Sequence, residues 1–577
     1  MQAVYNIAEI CAQHGITDVV LSPGSRSAPL TLAFARHPAF RGHVKVVPDE
    51  RAAAFIGLGI AQATRRAVVL VCTSGSAGLN YAPAVAEAYF QQIPLLILTA
   101  DRPPEWIDQL DGQTIRQPNL YGTHAKGAFE FPADTSHADA KWHSERIINE
   151  AINLAQAAPA GPVQVNIPLR EPFYPKAGEE IQFEEVKIIR DGGAEVSMNT
   201  YDKELLLEQT AAEVLFKRIL VVVSQHTQDT RLNNALDYFA KHSGAVVVAD
   251  IISNVADKAA HISRQDLFLA SPKADFLAEL QPDLLITVGN SLISKALKQY
   301  LRKYPAKQHW HIQPHPNPVA DVFRVLTHIF RVNSTSFFDD FGRDFSQEDR
   351  IQAMPFGKSW RAADKQATEL LNNFFAPLAS FNEFSAFRHA LATIPENTAL
   401  HLANSMAVRY ANILGLPQGR QIEVFANRGT SGIDGCTSTA VGAALAQPGR
   451  PVVLLTGDVA FFYDRNAFWH NYPLPNLRVV LFNNHGGGIF RIIDGPRQQP
   501  ELDEFFETRQ QLTAENTCRD FGLRHFPVSS FEELEAALPV FFASEGGAAL
   551  LEVFTDSKTN AAFFEQYRAA VKAAFDH

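Results

Sequence analysis

Short runs of Val, Ile and Leu recur along the chain, each followed by small or polar residues and then by apolar positions at helical spacing. Asp18–Ser22, Val44–Pro48, Ala67–Cys72, Leu95–Thr99 and Val163–Ile167 form a first set. Ile219–Val223, Ala245–Ala249 and Leu284–Val288 form a second, and Pro451–Thr456, Leu477–Phe482 and Ala549–Phe554 a third. Continuous apolar runs of this length suit strands buried on both faces, and the spacing leaves room for a helix between neighbours, so they predict parallel βαβ units. The fold class is therefore α/β, with three doubly wound parallel-sheet domains. Polar, charged passages around Lys176 to Lys203 and Asn333 to Lys365 lack strong apolar periodicity and read as linkers. They divide the chain into domains of residues 1–180, 200–340 and 365–577. The opening segment, Met1–Ile10, reads as an amphipathic helix without the basic start of a leader.

Composition narrows the partners. Of 577 residues 46% are apolar and 20% charged, which suits large cores and excludes disorder as the main state. Lys and Arg number 51 against 62 Asp and Glu, and the net charge of −11 repels a phosphate backbone, so nucleic acid is not an expected partner. Cys11, Cys72, Cys436 and Cys518 lie far apart and make neither a disulfide framework nor a structural zinc motif, which fits a reducing compartment. No apolar run reaches the roughly 18 residues of a spanning helix. The expectation is a cytoplasmic protein with no membrane insertion.

In open parallel sheets, ligands collect at the loops that follow the strands, where helix N-termini and free backbone donors point. In the third set, one strand ends in Thr456-Gly457-Asp458 and the next in Asn483-Asn484-His485-Gly486-Gly487-Gly488. Asp458 and Asn484 stand 26 positions apart, one βαβ repeat, so adjacent strands can deliver both side chains to one edge. A carboxylate, an amide oxygen and the Gly486 carbonyl make a hard-oxygen set suited to Mg²⁺, with Mn²⁺ as the alternative. Either half alone is better read as a helix cap or a turn. The pair resembles the diphosphate signature of thiamin diphosphate enzymes, Gly-Asp-Gly followed by Asn-Asn, with Val459 where the second glycine usually stands. That resemblance lifts Glu50, at the start of an Ala-rich helix, above a simple helix-dipole residue: it stands where the family's pyrimidine-activating glutamate stands.

Other patterns read blandly. Gly57-Leu-Gly59 lacks the third glycine of a dinucleotide fingerprint and is better explained by close helix packing. Thr73–Gly78 is a loop near the cofactor ring, with Asn80 beside it, and not a serine-nucleophile motif. His309 and His311 share one face of a strand and are expected to be incidental.

Five loops carry cations: Ser22-Pro-Gly-Ser-Arg26, Thr99-Ala-Asp-Arg102, Ser294-Lys295, Asn404-Ser405 to Arg409, and Asn427-Arg428 to Gly435. Converging in an acidic protein, they would suit substrates with more than one carboxylate. With Ile115-Arg-Gln-Pro118, these motifs resemble the 2-succinyl-5-enolpyruvyl-6-hydroxy-3-cyclohexene-1-carboxylate synthase family of menaquinone biosynthesis over nearly the whole chain, more loosely in the middle third. The resemblance implies a thiamin diphosphate-dependent transferase that decarboxylates 2-oxoglutarate and adds the succinyl unit to isochorismate. It implies pyrimidine-binding, central, and diphosphate- and metal-binding domains in chain order. By carry-over Glu50 is catalytic; Glu50, Ser431, Ile433, Gly457, Asp458, Asn484 and Gly486 bind the cofactor; and Asp458, Asn484 and Gly486 bind the metal. Arg26, Arg102, Gln113, Lys295, Ser405, Arg409, Arg428, Ile489 and Phe490 fall on substrate positions, with Gly112 a departure beside Gln113. A homodimer or a dimer of dimers follows, in which Glu50 and Asp458 of one chain serve different sites. The rival within the class is another thiamin diphosphate-dependent 2-oxoacid decarboxylase or carboligase with a neutral acceptor, which the arginine set argues against. A noncatalytic binding protein would have no need of Glu50.

Overall fold

Among the residues described in a computed structural model of the chain, eighteen strands form three six-stranded parallel sheets. The structure describes residues 1–576 apart from 177, 193–215, 256–260, 316–317, 343–344, 346 and 377–379. The N-terminal sheet holds β1 (Val19–Leu21), β2 (Val44–Val46), β3 (Val68–Cys72), β4 (Leu95–Asp101), β5 (Gly127–Glu130) and β6 (Pro162–Pro168), in the order β2-β1-β3-β4-β6-β5. The central sheet holds β7 (Ile219–Val223), β8 (Val246–Ala249), β9 (His261–Ile262), β10 (Leu284–Val288), β11 (Gln308–Ile312) and β12 (His328–Phe330), ordered β12-β11-β10-β7-β8-β9. The C-terminal sheet holds β13 (Thr398–Leu402), β14 (Ile422–Phe425), β15 (Val452–Gly457), β16 (Leu477–Asn483), β17 (Arg524–Val528) and β18 (Ala549–Phe554), ordered β14-β13-β15-β16-β18-β17. The outer two sheets share one topology, and each reverses direction beside its first strand, the place where α/β sheets open a crevice.

Every apolar run singled out in the sequence is a strand, and β11 carries the two histidines. The runs did not reveal β5, β9, β12, β13, β14 or β17. In β13 and β14 the reason is buried polar side chains: His401 stacks on Phe425, and Glu423 pairs with Arg450 at 2.8 Å.

The stretch around Asn333 to Lys365 is not a linker. Ser334–Phe341 and Gln347–Phe375 are helices. Phe356, Trp360, Ala363, Ala367 and Leu371 recur at helical spacing and are buried, and Trp360 Nε1 donates to the Leu280 carbonyl at 3.1 Å. Of the other proposed linker, residues 178–192 form no helix or strand. They lay Phe183, Val186 and Ile188 on the N-terminal core, and residue 177 and residues 193–203 lie outside the described residues.

The outer units are joined by two crossing helices, Glu50–Thr64 and Cys436–Ala446. A Cβ on Gly59 would lie 2.0 Å from the Thr439 carbonyl oxygen, and one on Gly442 would lie 2.1 Å from that of Ile56. Gly57 faces the sheet instead, where a Cβ would meet Leu70 at 2.4 Å. Close packing thus accounts for Gly57-Leu-Gly59, and it fixes the helix that Glu50 begins.

His309 and His311 both reach Thr287 Oγ1, at 2.9 and 2.8 Å, and no cluster of three His, Cys, Asp or Glu suited to a metal occurs among the described residues. Burial, then the neighbouring His311, hold the His309 imidazole down at about 4. A histidine so depressed binds fewer protons folded than unfolded, so its stability contribution is complete above about 6.5 and is lost as pH falls toward 4. His309→Gln is expected to remove about 2 kcal/mol of the stability lost between about pH 6.5 and 4.5. Urea titrations at both pH values check this, and an unchanged difference would assign the loss to other groups.

Candidate active site

At the N-terminal sheet, the loops after β1, β2, β3 and β4 meet on one edge. A Cβ on Gly24 would sit 2.3 Å from that of Thr73, and one on Gly75 would sit 3.2 Å from Gln113 Cα, so three of these loops touch. Arg26 is buried in the first; its Nη1 donates to the Leu169 carbonyl at 2.8 Å and its guanidinium lies over the Phe173 ring. Burial, then the nearby Arg102, lower its proton affinity. Arg102 Nη2 donates to the Gly112 carbonyl at 2.8 Å, Nη1 pairs with Asp111 at 3.2 Å, and Nε is buried without a partner. Glu50 opens its helix behind the cap Asp49, and Asn80 Nδ2 donates to its Oε2 at 3.1 Å.

The C-terminal sheet builds the second edge from the loops after β14, β13, β15 and β16. Asp458 is buried at the start of the Asp458–Tyr463 helix; its Oδ1 accepts from the Val459 N–H at 2.8 Å and its Oδ2 from Gln510 Nε2 at 2.9 Å. Burial pushes this carboxyl up to about 6, against hydrogen bonds from Gln510, Val459 and the Gly486 N–H, so the loop after β16 touches it. Asn484 Nδ2 donates to Glu383 Oε2 at 2.6 Å, while Asn484 Oδ1 is buried with no partner. The glycine run is required here: a Cβ on Gly486 would meet the Glu507 carbonyl at 2.7 Å, and one on Gly488 would meet Asn484 at 2.9 Å. Ile489 and Phe490 begin the short Ile489–Ile492 helix beside it.

The cations fall into groups. Arg428 Nη1 donates to Asn404 Oδ1 at 2.9 Å, its Nε is buried and unpartnered, and Asn404 Nδ2 holds the Asn427 and Gly432 carbonyls at 2.8 and 2.6 Å. Arg409 Nη1 donates to the Ser405 carbonyl, and burial, then Arg428, lower its proton affinity. Arg26 therefore accompanies Arg102, and Arg409 accompanies Arg428. Lys295 is exposed at the start of the Lys295–Lys303 helix. One turn on, the half-buried Lys298 is the lysine that feels Asp250, Arg428 and Arg409. Gln113, Ser405, Ser431 and His485 have φ of 55°, 72°, 64° and 64°, strained for residues with a Cβ and concentrated in these loops.

Sequence reasoning missed the groups that hold the loops. Glu87 is fully buried in the N-terminal unit, yet its carboxylate accepts from the Gly429 and Thr430 N–H groups, both at 2.7 Å, fixing the turn between Arg428 and Ser431. Gln510, Glu383 and Lys298 were missed as well, because each meets its partner far along the chain. Asn382 was findable as the helix cap it is, accepting from the Ser385 N–H at 3.0 Å, but a cap says nothing of Glu383.

Two parallel sheets of one topology, opening their strand ends to a diphosphate-type loop and to a helix-start glutamate, define a thiamin pyrophosphate-dependent enzyme. Family models described as the N-terminal TPP binding domain, the middle domain and the C-terminal TPP binding domain of thiamine pyrophosphate enzymes match residues 1–122, 196–402 and 410–553. A solved benzoylformate decarboxylase from Polynucleobacter necessarius shares the fold, with a TM-score of 0.70 at 17% identity over 96% of this chain and 99% of that one. The chain belongs to the 2-succinyl-5-enolpyruvyl-6-hydroxy-3-cyclohexene-1-carboxylate synthase family, a group of transferases. It is 44% identical to the synthase of Cytophaga hutchinsonii over 100% of both chains. To that of Porphyromonas gingivalis it is 38% identical over 97% of this chain and 96% of the other.

Proposed function

We propose that the chain decarboxylates 2-oxoglutarate and adds the resulting succinyl unit to isochorismate, releasing CO₂ and 2-succinyl-5-enolpyruvyl-6-hydroxy-3-cyclohexene-1-carboxylate for menaquinone synthesis. The supporting observation is the placement of two arginine pairs, Arg26 with Arg102 and Arg409 with Arg428, at the strand ends that frame the two halves of the site, with Arg26 buried and Arg102 and Arg428 half-buried. Both substrates are dicarboxylates, and guanidinium forks with unsatisfied N–H groups suit them. Gln113, Ser405, Lys295, Ile489 and Phe490 complete the walls of this reading, with Lys298 added.

The residues present fit a divalent metal and the cofactor's diphosphate. Asn484 Oδ1 is a buried acceptor lacking a donor, Asp458 supplies a carboxylate, and the Gly486 carbonyl, which accepts from the Gly488 N–H at 3.0 Å, keeps a second lone pair. These three would hold Mg²⁺ or Mn²⁺, with Gly457, Ser431 and Ile433 against the cofactor. Bound there, thiamin diphosphate supplies an electron sink for the carbanion left when CO₂ departs. Glu50 would hydrogen-bond the cofactor's pyrimidine through its carboxyl, and the arginines would orient the substrate carboxylates.

Within one chain Asn80 engages Glu50, whereas Gln510 engages Asp458 and Glu383 engages Asn484, so the two halves of the site have separate partners. This supports a site completed by a second copy, in a homodimer or a dimer of dimers. We place the enzyme in the cytoplasm, where its four buried free thiols stay reduced. Among the described residues, no helix is long and apolar enough to cross a membrane.

The test is isochorismate consumption by the purified protein with thiamin diphosphate and Mg²⁺, with and without 2-oxoglutarate. Loss that needs every component, with CO₂ release, is expected. CO₂ release with isochorismate untouched would reassign the acceptor and favour another carboligase. No reaction of either would remove the catalytic reading.

A further inference from the structure

A run of hydrogen bonds from the last helix, Ser557–Ala574, decides which face of the Asn484 amide looks away from the protein framework. It begins at a group that can only donate. The Glu383 backbone N–H gives its proton to Asn560 Oδ1 at 2.9 Å, so Asn560 turns its amide nitrogen the other way. That nitrogen donates to Thr555 Oγ1 at 3.0 Å and to Glu383 Oε2 at 3.2 Å. Glu383 Oε2 is therefore an acceptor whether or not the other carboxyl oxygen carries a proton. Asn484 presents Nδ2 to that same oxygen at 2.6 Å, which leaves Oδ1 on the opposite side, buried and unpartnered. Turning the Asn484 amide over would set two acceptors face to face. Glu383 and Asn560 are themselves 6% and 5% exposed, so water does not substitute readily for either link.

We infer that Glu383 and Asn560 are positioning residues that aim the Asn484 carbonyl as a metal ligand, an inference that rests on reading Asp458, Asn484 and Gly486 as the metal site. Neither residue touches the metal. Their effect is to spare the ion the cost of orienting an amide that would otherwise rotate, as outer hydrogen bonds do at metal sites generally.

The experiment titrates the purified protein, with thiamin diphosphate present, with Mn²⁺ and reads free Mn²⁺ by electron paramagnetic resonance. Glu383→Ala is expected to weaken Mn²⁺ binding about 10–100-fold, and Asn560→Ala to weaken it in the same direction by less. Glu383→Gln, whose amide oxygen can accept both N–H groups, is expected to restore most of the affinity. Thermal unfolding reports folding, and if Glu383→Ala does not fold, Asn560→Ala carries the test. Wild-type Mn²⁺ affinity in the folded variants would overturn the relay, as would equal weakening in Glu383→Gln. Asp458→Ala separates the two ideas. If it alone loses Mn²⁺, the metal site stands and the relay falls; if it also binds normally, the metal reading itself falls.

Discussion

Glu50→Gln is expected to lower turnover by about 10²–10⁴-fold, the usual contribution of a positioned acid or base, while thiamin diphosphate and Mn²⁺ binding change little. The substitution keeps the side chain's shape and an oxygen that accepts from Asn80 Nδ2 at 3.1 Å. What it removes is the capacity to hold and release a proton at that atom. The position makes this capacity usable: Glu50 is the first residue of a 15-residue helix, and Asp49 rather than Glu50 performs the capping, which leaves the Glu50 carboxyl for other partners. Steady-state rates, paired with exchange of the cofactor's acidic C–H against deuterated solvent, read the effect directly. Wild-type values for both would take Glu50 out of the reaction.

Gly442→Ala is expected to destabilise the protein by about 3 kcal/mol, the upper part of the range for overpacking a filled interface. The sign is the informative feature, since the same change in an exposed helix interior stabilises by about 1 kcal/mol. Here the added methyl would sit 2.1 Å from the Ile56 carbonyl oxygen and 3.0 Å from the Ile60 nitrogen. Those are backbone atoms, which no rotamer change can move, so the helices must separate. Residues 436–444 of that helix, small throughout, are all buried, and separation would open voids along it. Because Glu50 begins the partner helix, activity is expected to fall together with stability. Gly59→Ala, which meets the Thr439 carbonyl at 2.0 Å, tests the same contact from the other side. Calorimetry or urea unfolding measures both, and a variant as stable as the parent would refute the described crossing.

Much of this architecture was legible beforehand because strands of parallel sheets are covered on both faces and therefore read as unbroken apolar runs. β15 and β16 are clear cases, each with one polar residue or none among its buried positions before the strand end. In the short strands β13 and β14 the signal is weaker, because His401 and Glu423 interrupt the apolar run and their burial is compensated by partners remote in sequence. The helices across Asn333 to Lys365 were missed for a related reason. Their buried residues, Phe337, Phe338 and Phe341 in the first helix and Phe356, Trp360 and Ala363 in the second, are separated by polar and charged positions that mask the helical spacing.

The sequence by itself determined the βαβ rhythm, the three-sheet division and the Asp458–Asn484 corner, because each of these depends on residues one repeat apart or closer. It also marked the cations at strand ends and the glutamate at a helix start, since residue type and local element are enough for that. Only the tertiary structure decided the strand orders, the pairing of Arg26 with Arg102 and of Arg409 with Arg428, and the approach of Lys298 to Arg428 and Arg409. It alone also brought Glu87 to the Gly429–Thr430 turn and Glu383 to Asn484. The physical reason is range: a buried carboxylate is stable only where donors converge on it, and those donors arrive from strands and helices whose neighbours are chosen by packing and not by proximity along the chain.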